Sequence, residues 1–360
     1  MKGDVMDFID APTRVRQGEE LDLKAVEAFL KDTLPGLTGE LVVDQFPSGF
    51  SNLTYLIRVG EKELVLRRPP FGRKAKSAHD MGREYRVMSA VNPVFPYCPK
   101  PLVYTDDESI MGCPFYVMER IRGIIPRKRF PKGMKLGPDE MRTLCENLLD
   151  VHHELHCVDY RKIGLEGLGK PQGYVKRQVE GWSDRYRAAR TPDAPDFEHI
   201  MAWLKEKMPP DFQRPALIHN DYKFDNVVLD PANPLKIIGV LDWEMATIGD
   251  PLMDLGSSLG YWVQADDPEE LQVAGMLPTN LPGALTRMEM VQRYAQKAGI
   301  AIDNFDFYLC FGVFRIVVII QQIYYRFYHG QTKDERFRAL IFGVHIAGRM
   351  AQRIIEQSRL

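Results

Sequence analysis

His219-Asn220-Asp221-Tyr222-Lys223-Phe224-Asp225-Asn226 sets an Asp and an Asn five positions apart in a loop flanked by two short apolar runs, Ala216 to Ile218 and Val227 to Leu229. The pattern is H-x-D-x-x-x-x-N. Phosphoryl transfer needs a carboxylate that takes or orients the acceptor hydroxyl's proton, and a hard oxygen donor that helps hold Mg2+. Asp221 is read as the base and Asn226 as a metal ligand. Directly after the apolar run Ile237 to Leu241 comes Asp242-Trp243-Glu244, a carboxylate at a strand end. Its oxygens suit Mg2+, so Asp242 is read as the second metal ligand. Asp and Asn also form turns by bonding their own backbone. The ordered pairing of the two motifs between strands is what favours chemistry over turn formation.

The N-terminal part supplies matching elements. Leu41 to Phe46, Thr54 to Val59, Glu63 to Leu66 and Phe115 to Met118 alternate or are β-branched, and they predict strands of one antiparallel sheet. A helix over Ala78 to Val91 follows the third strand, stopped by Pro93 and Pro96. Ser48, Gly49, Phe50, Ser51 and Asn52 lie between the first two strands, where backbone N–H groups could approach phosphates; the plain alternative is a β-turn. On the third strand Arg67 stands where a cation would reach the α/β-phosphates, with Glu84 of the next helix as its partner. Glu119 and Ile121 fall at a strand end before Gly123, a hinge whose backbone would bond the nucleotide base. Side chains there leave ATP and GTP both open.

Beyond Gly123 the chain reads as helical, with helices at Pro138 to Leu155, Tyr174 to Ala189, Phe197 to Lys207, Arg287 to Ala298 and Phe305 to Tyr328. The last stretch is apolar, but Asp306, Arg315, Gln321, Gln322 and Arg326 interrupt it, which predicts a buried helix rather than a membrane span. A compact β insertion at Ala216 to Ile218, Val227 to Leu229 and Leu235 to Leu241 holds the chemistry. With 360 residues, two lobes are expected. The division is a leader at 1–22, a nucleotide-binding lobe at 23–120, and a catalytic and acceptor-binding lobe at 121–360.

LIHNDYKFDNVVLD (217–230), IIGVLDWEMATIGDPLMDLG (237–256) and FYVMERIRG (115–123) resemble the aminoglycoside phosphotransferase and choline kinase superfamily. The resemblance is nearest to the kinase-like domain fused to some acyl-CoA dehydrogenases and its stand-alone bacterial relatives, and it spans about residues 25 to 350. It implies an α+β, bilobal protein-kinase-like fold: a small antiparallel sheet with one helix, then a larger, mainly helical lobe. It also implies transfer of the γ-phosphoryl group of Mg2+-bound ATP or GTP to a hydroxyl of a small-molecule acceptor, a hydroxyacyl-CoA-like compound among the options. Asp221 would be the base, Asn226 and Asp242 the Mg2+ ligands, Glu84 the partner of the strand cation, and Asp254 a brace for the catalytic loop. Two positions depart from the family pattern: Asn220 replaces its Gly, and Arg67 replaces its strand lysine, for which a planar guanidinium is no simple substitute.

Composition narrows the alternatives. Lys plus Arg total 47 against 49 Asp plus Glu, which excludes the basic field of a dedicated nucleic-acid binder. Five scattered cysteines without a CxxC pair, and a start without an apolar signal segment, fit a cytoplasmic protein. One rival is a nucleotide-binding pseudokinase acting as a scaffold, which Arg67 favours and the set of Asp221, Asn226 and Asp242 disfavours. Another is a metallohydrolase on His152 and His156, spaced to share a helix face, but the order is not H-E-x-x-H and no third ligand is evident in the sequence. Arg122, Arg127, Lys128 and Arg129 form a basic run, which ordinarily means a solvated face and otherwise suits an anionic acceptor.

Overall fold

Glycine and proline punctuate the chain into short strands and long amphipathic helices, and the computed structural model describes residues 8–47, 52–71, 80–332 and 334–360. In chain order the elements are α1 (Leu23–Thr33), β1 (Leu41–Gln45), β2 (Leu53–Val59), β3 (Lys62–Arg68), α2 (Met81–Val91), β4 (Pro101–Thr105), α3 (Glu108–Met111), β5 (Phe115–Glu119), α4 (Pro138–His156), α5 (Tyr174–Ala189), α6 (Glu198–Glu206), β6 (Ala216–Ile218), β7 (Val227–Leu229), β8 (Ile237–Val240), β9 (Thr247–Gly249), α7 (Pro251–Gly260), α8 (Glu269–Ala274), α9 (Arg287–Ala298), α10 (Asp306–Tyr328) and α11 (Leu340–Gln357). They divide into two compact units, Met1–Ile125 with Val227–Ala246, and Pro126–Asn226 with Thr247–Leu360.

The first unit is built on a five-stranded antiparallel sheet in the order β1-β2-β3-β5-β4. β3 lies in its middle, and the register sets Arg67 between Thr54 of β2 and Tyr116 of β5. Val26 and Leu30 of α1 join Tyr55, Ile57, Leu64, Leu66, Phe115 and Val117 in the core beneath one face. Each such side chain contributes about 1.5–3 kcal/mol by leaving water. α2 starts at Asp80, whose carboxylate accepts from the Arg83 N–H at 2.8 Å and fills an otherwise unpaired helix-end donor. The β7–β8 hairpin belongs to this unit through a bridge between Ile124 and Leu229 and a bond from Val240 N to Tyr97 O at 2.8 Å. The expectation drawn from sequence put that hairpin with the helical lobe, because chain order alone suggests it.

Sequence reading treats the start as a loose leader. Its described residues are instead laced to the sheet: Thr13 pairs with Gln45, Tyr55 Oη donates to Glu19 O at 2.7 Å, and Leu21 is buried.

In the second unit α10 packs on α5, α7 and α11. Close approach to α7 depends on glycine. A Cβ on Gly312 would sit 1.9 Å from Gly256 O, so any side chain there would force the helices apart. α10 is long and apolar enough to cross a membrane, yet 67% of its most apolar window is buried, as expected for a core helix. α4 begins with Pro138 at its first turn, and the Glu140 carboxylate accepts from Gly137 N at 2.7 Å. β6 pairs with β9, with Ala216 opposite Gly249 and Ile218 opposite Thr247, and this fixes both ends of the segment leading into the His219–Asn226 loop.

Candidate functional site

The residues singled out by motif fall into two groups, one in each unit. In the first unit Arg67 rises from the sheet centre and divides its guanidinium between carboxylates. Nη1 donates to Glu84 Oε1 at 2.5 Å, Nη2 donates to Asp242 Oδ1 at 3.0 Å, and Glu244 Oε2 lies 3.9 Å from Nη2. Burial works against a charged guanidinium, but Glu84, with Tyr116, Asp242 and Glu244, outweighs it and holds the Arg67 pKa well above its usual value. Burial likewise pushes the Glu84 carboxyl up, opposed by the pull of Arg67. Arg67 Nε is buried with no hydrogen-bond partner among the described residues, so both of its outer nitrogens serve the acids and the inner one is left over.

The same group is tied at two further points. Asn52 Nδ2 donates to Glu244 Oε2 at 2.7 Å, and Arg83 Nη1 donates to Glu244 O at 2.9 Å. Asp242 has φ 67°, a left-handed conformation costly for a non-glycine residue and typical of sites where neighbours over-determine the backbone. Of the expected phosphate loop only Asn52 is described; Ser48, Gly49, Phe50 and Ser51 lie outside the described residues. Glu119 ends β5 exposed, ion-paired to Lys100 at 3.3 Å, with its N–H donating to Lys100 O at 2.9 Å. Ile121 covers Gly239, where a Cβ would come within 2.8 Å of its Cδ1. Neither joins the Arg67 group by any hydrogen bond or ion pair found among the described residues.

In the second unit Asp221 is an acid ringed by donors. Its Oδ2 takes Lys223 Nζ at 2.5 Å and Asn226 Nδ2 at 2.8 Å, and Asn226 Nδ2 also reaches Asp221 O at 2.8 Å. Because the amide nitrogen of Asn226 is spent on Asp221, its oxygen is left to accept a hydrogen bond or to ligate a metal. Burial opposes the charge of Lys223, but Asp221 outweighs it and raises the Lys223 pKa; the ammonium also sits 5.0 Å over the Tyr261 ring. Lys223 fills one of the unspecified positions of the motif, so the pattern alone gives it no role.

Asp254, in the first turn of α7, braces this loop. It accepts from His219 N at 2.8 Å and Asn220 N at 2.7 Å, which holds Asn220 at φ 64°. His152 Nε2 and His156 Nε2 of α4 reach its Oδ2 at 3.0 and 3.1 Å. Burial raises the Asp254 carboxyl, but His152 and the other donors outweigh it and hold the pKa well below the usual range. Burial and His152 push His156 down to about 4, so it is neutral at physiological pH. Its proton sits on Nε2 facing Asp254, and Nδ1 accepts from Tyr294 Oη at 2.7 Å. The sequence offered the two histidines no third partner. Asp254 completes a set within metal-ligand reach, but its contacts are hydrogen bonds that hold the loop.

Hard oxygen donors dominate both groups, as Mg2+ demands: the Asn226 amide oxygen in the second unit and the Asp242 carboxylate in the first. Each fits that ion by its own chemistry.

Comparison with known proteins gives the ancestry. Residues 42–283 match the phosphotransferase enzyme family. Acyl-CoA dehydrogenase family member 10 of Mus musculus is 36% identical over 323 residues, 89% of this chain and 30% of its own length. Family member 11 of Gallus gallus is 34% identical over 90% of this chain and 42% of its own. The chain thus spans less than half the length of these relatives. A putative aminoglycoside phosphotransferase of Ralstonia eutropha superposes with a TM-score of 0.79 at 29% identity, over 95% of this chain and all of that one. A choline kinase of Cryptosporidium parvum shares the fold, with a TM-score of 0.58 at 11% identity over 93% of this chain and 97% of its own.

Proposed function

The chain belongs to the phosphotransferase enzyme family, and from that premise we propose that it moves the γ-phosphoryl group of a Mg2+-bound nucleoside triphosphate to a hydroxyl of a small-molecule acceptor. The observation that carries the reading is the state of Asp221: one carboxylate oxygen is committed to Lys223 and Asn226, and the other, Oδ1, has no protein partner among the described residues. Oδ1 accepts the acceptor hydroxyl's proton as the oxygen attacks the γ-phosphorus and the bond to the β-bridging oxygen breaks, leaving the nucleoside diphosphate. Lys223 fixes the carboxylate's rotamer through its ion pair with Oδ2. Asn226 and Asp242 are the residues that would hold Mg2+, which when bound neutralises phosphate charge. Arg67 positions Asp242 and Glu84.

For the acceptor, relatives named acyl-CoA dehydrogenases support a hydroxyacyl-CoA-like compound. The test is transfer from γ-labelled ATP and GTP to a panel holding a hydroxyacyl-CoA, choline and an aminoglycoside. Label appearing on the hydroxyacyl-CoA, dependent on Mg2+, supports the reading. Nucleotide binding without transfer to any hydroxyl would leave a scaffold that holds nucleotide.

A further inference from the structure

The second unit contains a cavity of about 360 Å3 that the phosphoryl-transfer chemistry does not use. Its cationic wall is Lys128 and Arg129, its floor the buried Leu277 and Pro278, and Gln272 and Asn280 add amides. No carboxylate lines it among the described residues. Arg127, Lys128, Arg129, Lys132 and Lys135 fall in one nine-residue stretch without an acid. Lys128 Nζ donates to Val273 O at 3.0 Å, which ties the stretch to the opposite wall without neutralising it. Among the described residues nothing pairs with the Arg129 guanidinium. Of the acids in the run 266–270, Asp267 is engaged with Arg287, Glu270 with Arg349 and Arg353, and Asp266 with Gln264, while Glu269 is exposed and is not among the lining residues. The charged residues that line the cavity are both cations, beside the buried Leu277 and Pro278.

The cavity is mechanically joined to the Asp221 loop. Thr279 Oγ1 accepts from Val263 N at 3.0 Å, and Trp262 Nε1 donates to Leu285 O at 2.8 Å. Trp262 then stacks on Phe224 of the loop, with ring centroids 5.7 Å apart. Tyr261, the next residue back, lies under the Lys223 ammonium. The segment after the cavity's Pro278 and the loop that carries Asp221 are therefore anchored on one three-residue stretch, Tyr261 to Val263, with Trp262 touching both sides.

We infer that this cavity is the subsite for a phosphate-bearing arm of the acceptor, held by Lys128 and Arg129 while the hydroxyl-bearing end is presented to Asp221. The inference rests on the kinase reading above. Charge-assisted bonds to phosphate suit both cations, Arg129 as a fork and Lys128 as a point charge. The apolar floor suits a ligand that is amphipathic rather than purely ionic.

Coenzyme A is the probe, titrated calorimetrically into protein saturated with Mg2+ and a non-hydrolysable ATP analogue, so that the nucleotide site is already filled. Wild type and an exposed-arginine control, Arg214→Glu, should bind it equally; Lys128→Glu/Arg129→Glu should bind at least ~10-fold more weakly, as should Arg129→Gln to a smaller degree. With a hydroxyacyl-CoA as acceptor, the double variant should raise KM with kcat little changed. The corresponding hydroxyacyl-pantetheine, which lacks the phosphates, should show no such difference. Equal coenzyme A affinity in wild type and double variant, or no binding to wild type, overturns the subsite. Failure of the nucleotide analogue to bind at all would instead count against the kinase reading.

Discussion

Arg67 in the first unit is a buried cation ringed by acids, whereas Asp221 in the second is an acid ringed by donors and open on one oxygen. The contrast separates two jobs. Arg67 has both outer nitrogens committed to Glu84 and Asp242, so its neighbourhood is held rigidly and cannot easily lose a partner. Asp221 has one committed oxygen and one open, which is the arrangement of a group that must exchange a proton. On the function proposed above, positioning belongs to the first and reaction to the second.

Breaking the reactive side should have the largest effect. Asp221→Asn keeps size and removes the base, so kcat should fall about 10^2–10^4-fold while nucleotide affinity holds; turnover within a few-fold of wild type would remove Asp221 from the chemistry. The positioning side should fail in stability. Arg67→Met strands the buried Glu84 carboxylate and should cost about 3–5 kcal/mol in denaturant unfolding. Arg67→Lys tests whether geometry matters beyond charge. A single ammonium cannot place separate nitrogens on Glu84 and Asp242, so the family's usual lysine should lower rather than raise activity.

Asp254→Asn sharpens the comparison from behind the reactive loop. It should cost about 3 kcal/mol and lower kcat, since the His219 and Asn220 amides lose a charged acceptor. The smallest expected effect is in pH dependence. His156 binds its proton less readily when folded, at about 4 against 6.5, so its contribution is present above pH 6.5 and lost as pH falls toward 4, by about 2 kcal/mol at pH 5. Asp250, raised by burial to about 6, acts oppositely and gains stability over the acid range. The difference between wild type and His156→Gln isolates the histidine: the stability gap should narrow from pH 6.5 to 4, and a constant gap would contradict it.

Much of this was legible in the chain. The helices at 174–189 and 287–298 and the strands at 216–218 and 227–229 sit where patterning puts them, because amphipathic spacing and short β-branched runs carried a clear period. α7 gave no such signal: Pro251 through Leu259 are all buried, and a helix without a polar face has no alternation to read. β4 starts at a proline and is only half-buried throughout, which blurs the pattern of a sheet-edge strand. In the site, Asp221, Asn226, Asp242 and Arg67 were visible as motif letters. Lys223, Asn52 as a tether for Glu244, and the histidines on Asp254 depend on contacts across 2 to 192 positions, and spacing says nothing about them.

The division of labour is tested most directly by calorimetric titration of ATP into wild type, Asp242→Asn and Asp221→Asn, each with and without Mg2+. The account predicts Mg2+-dependent binding in wild type, its loss or strong weakening in Asp242→Asn, and its retention in a catalytically dead Asp221→Asn. Binding indifferent to Mg2+ and to Asp242, or abolished by Asp221→Asn, would contradict it.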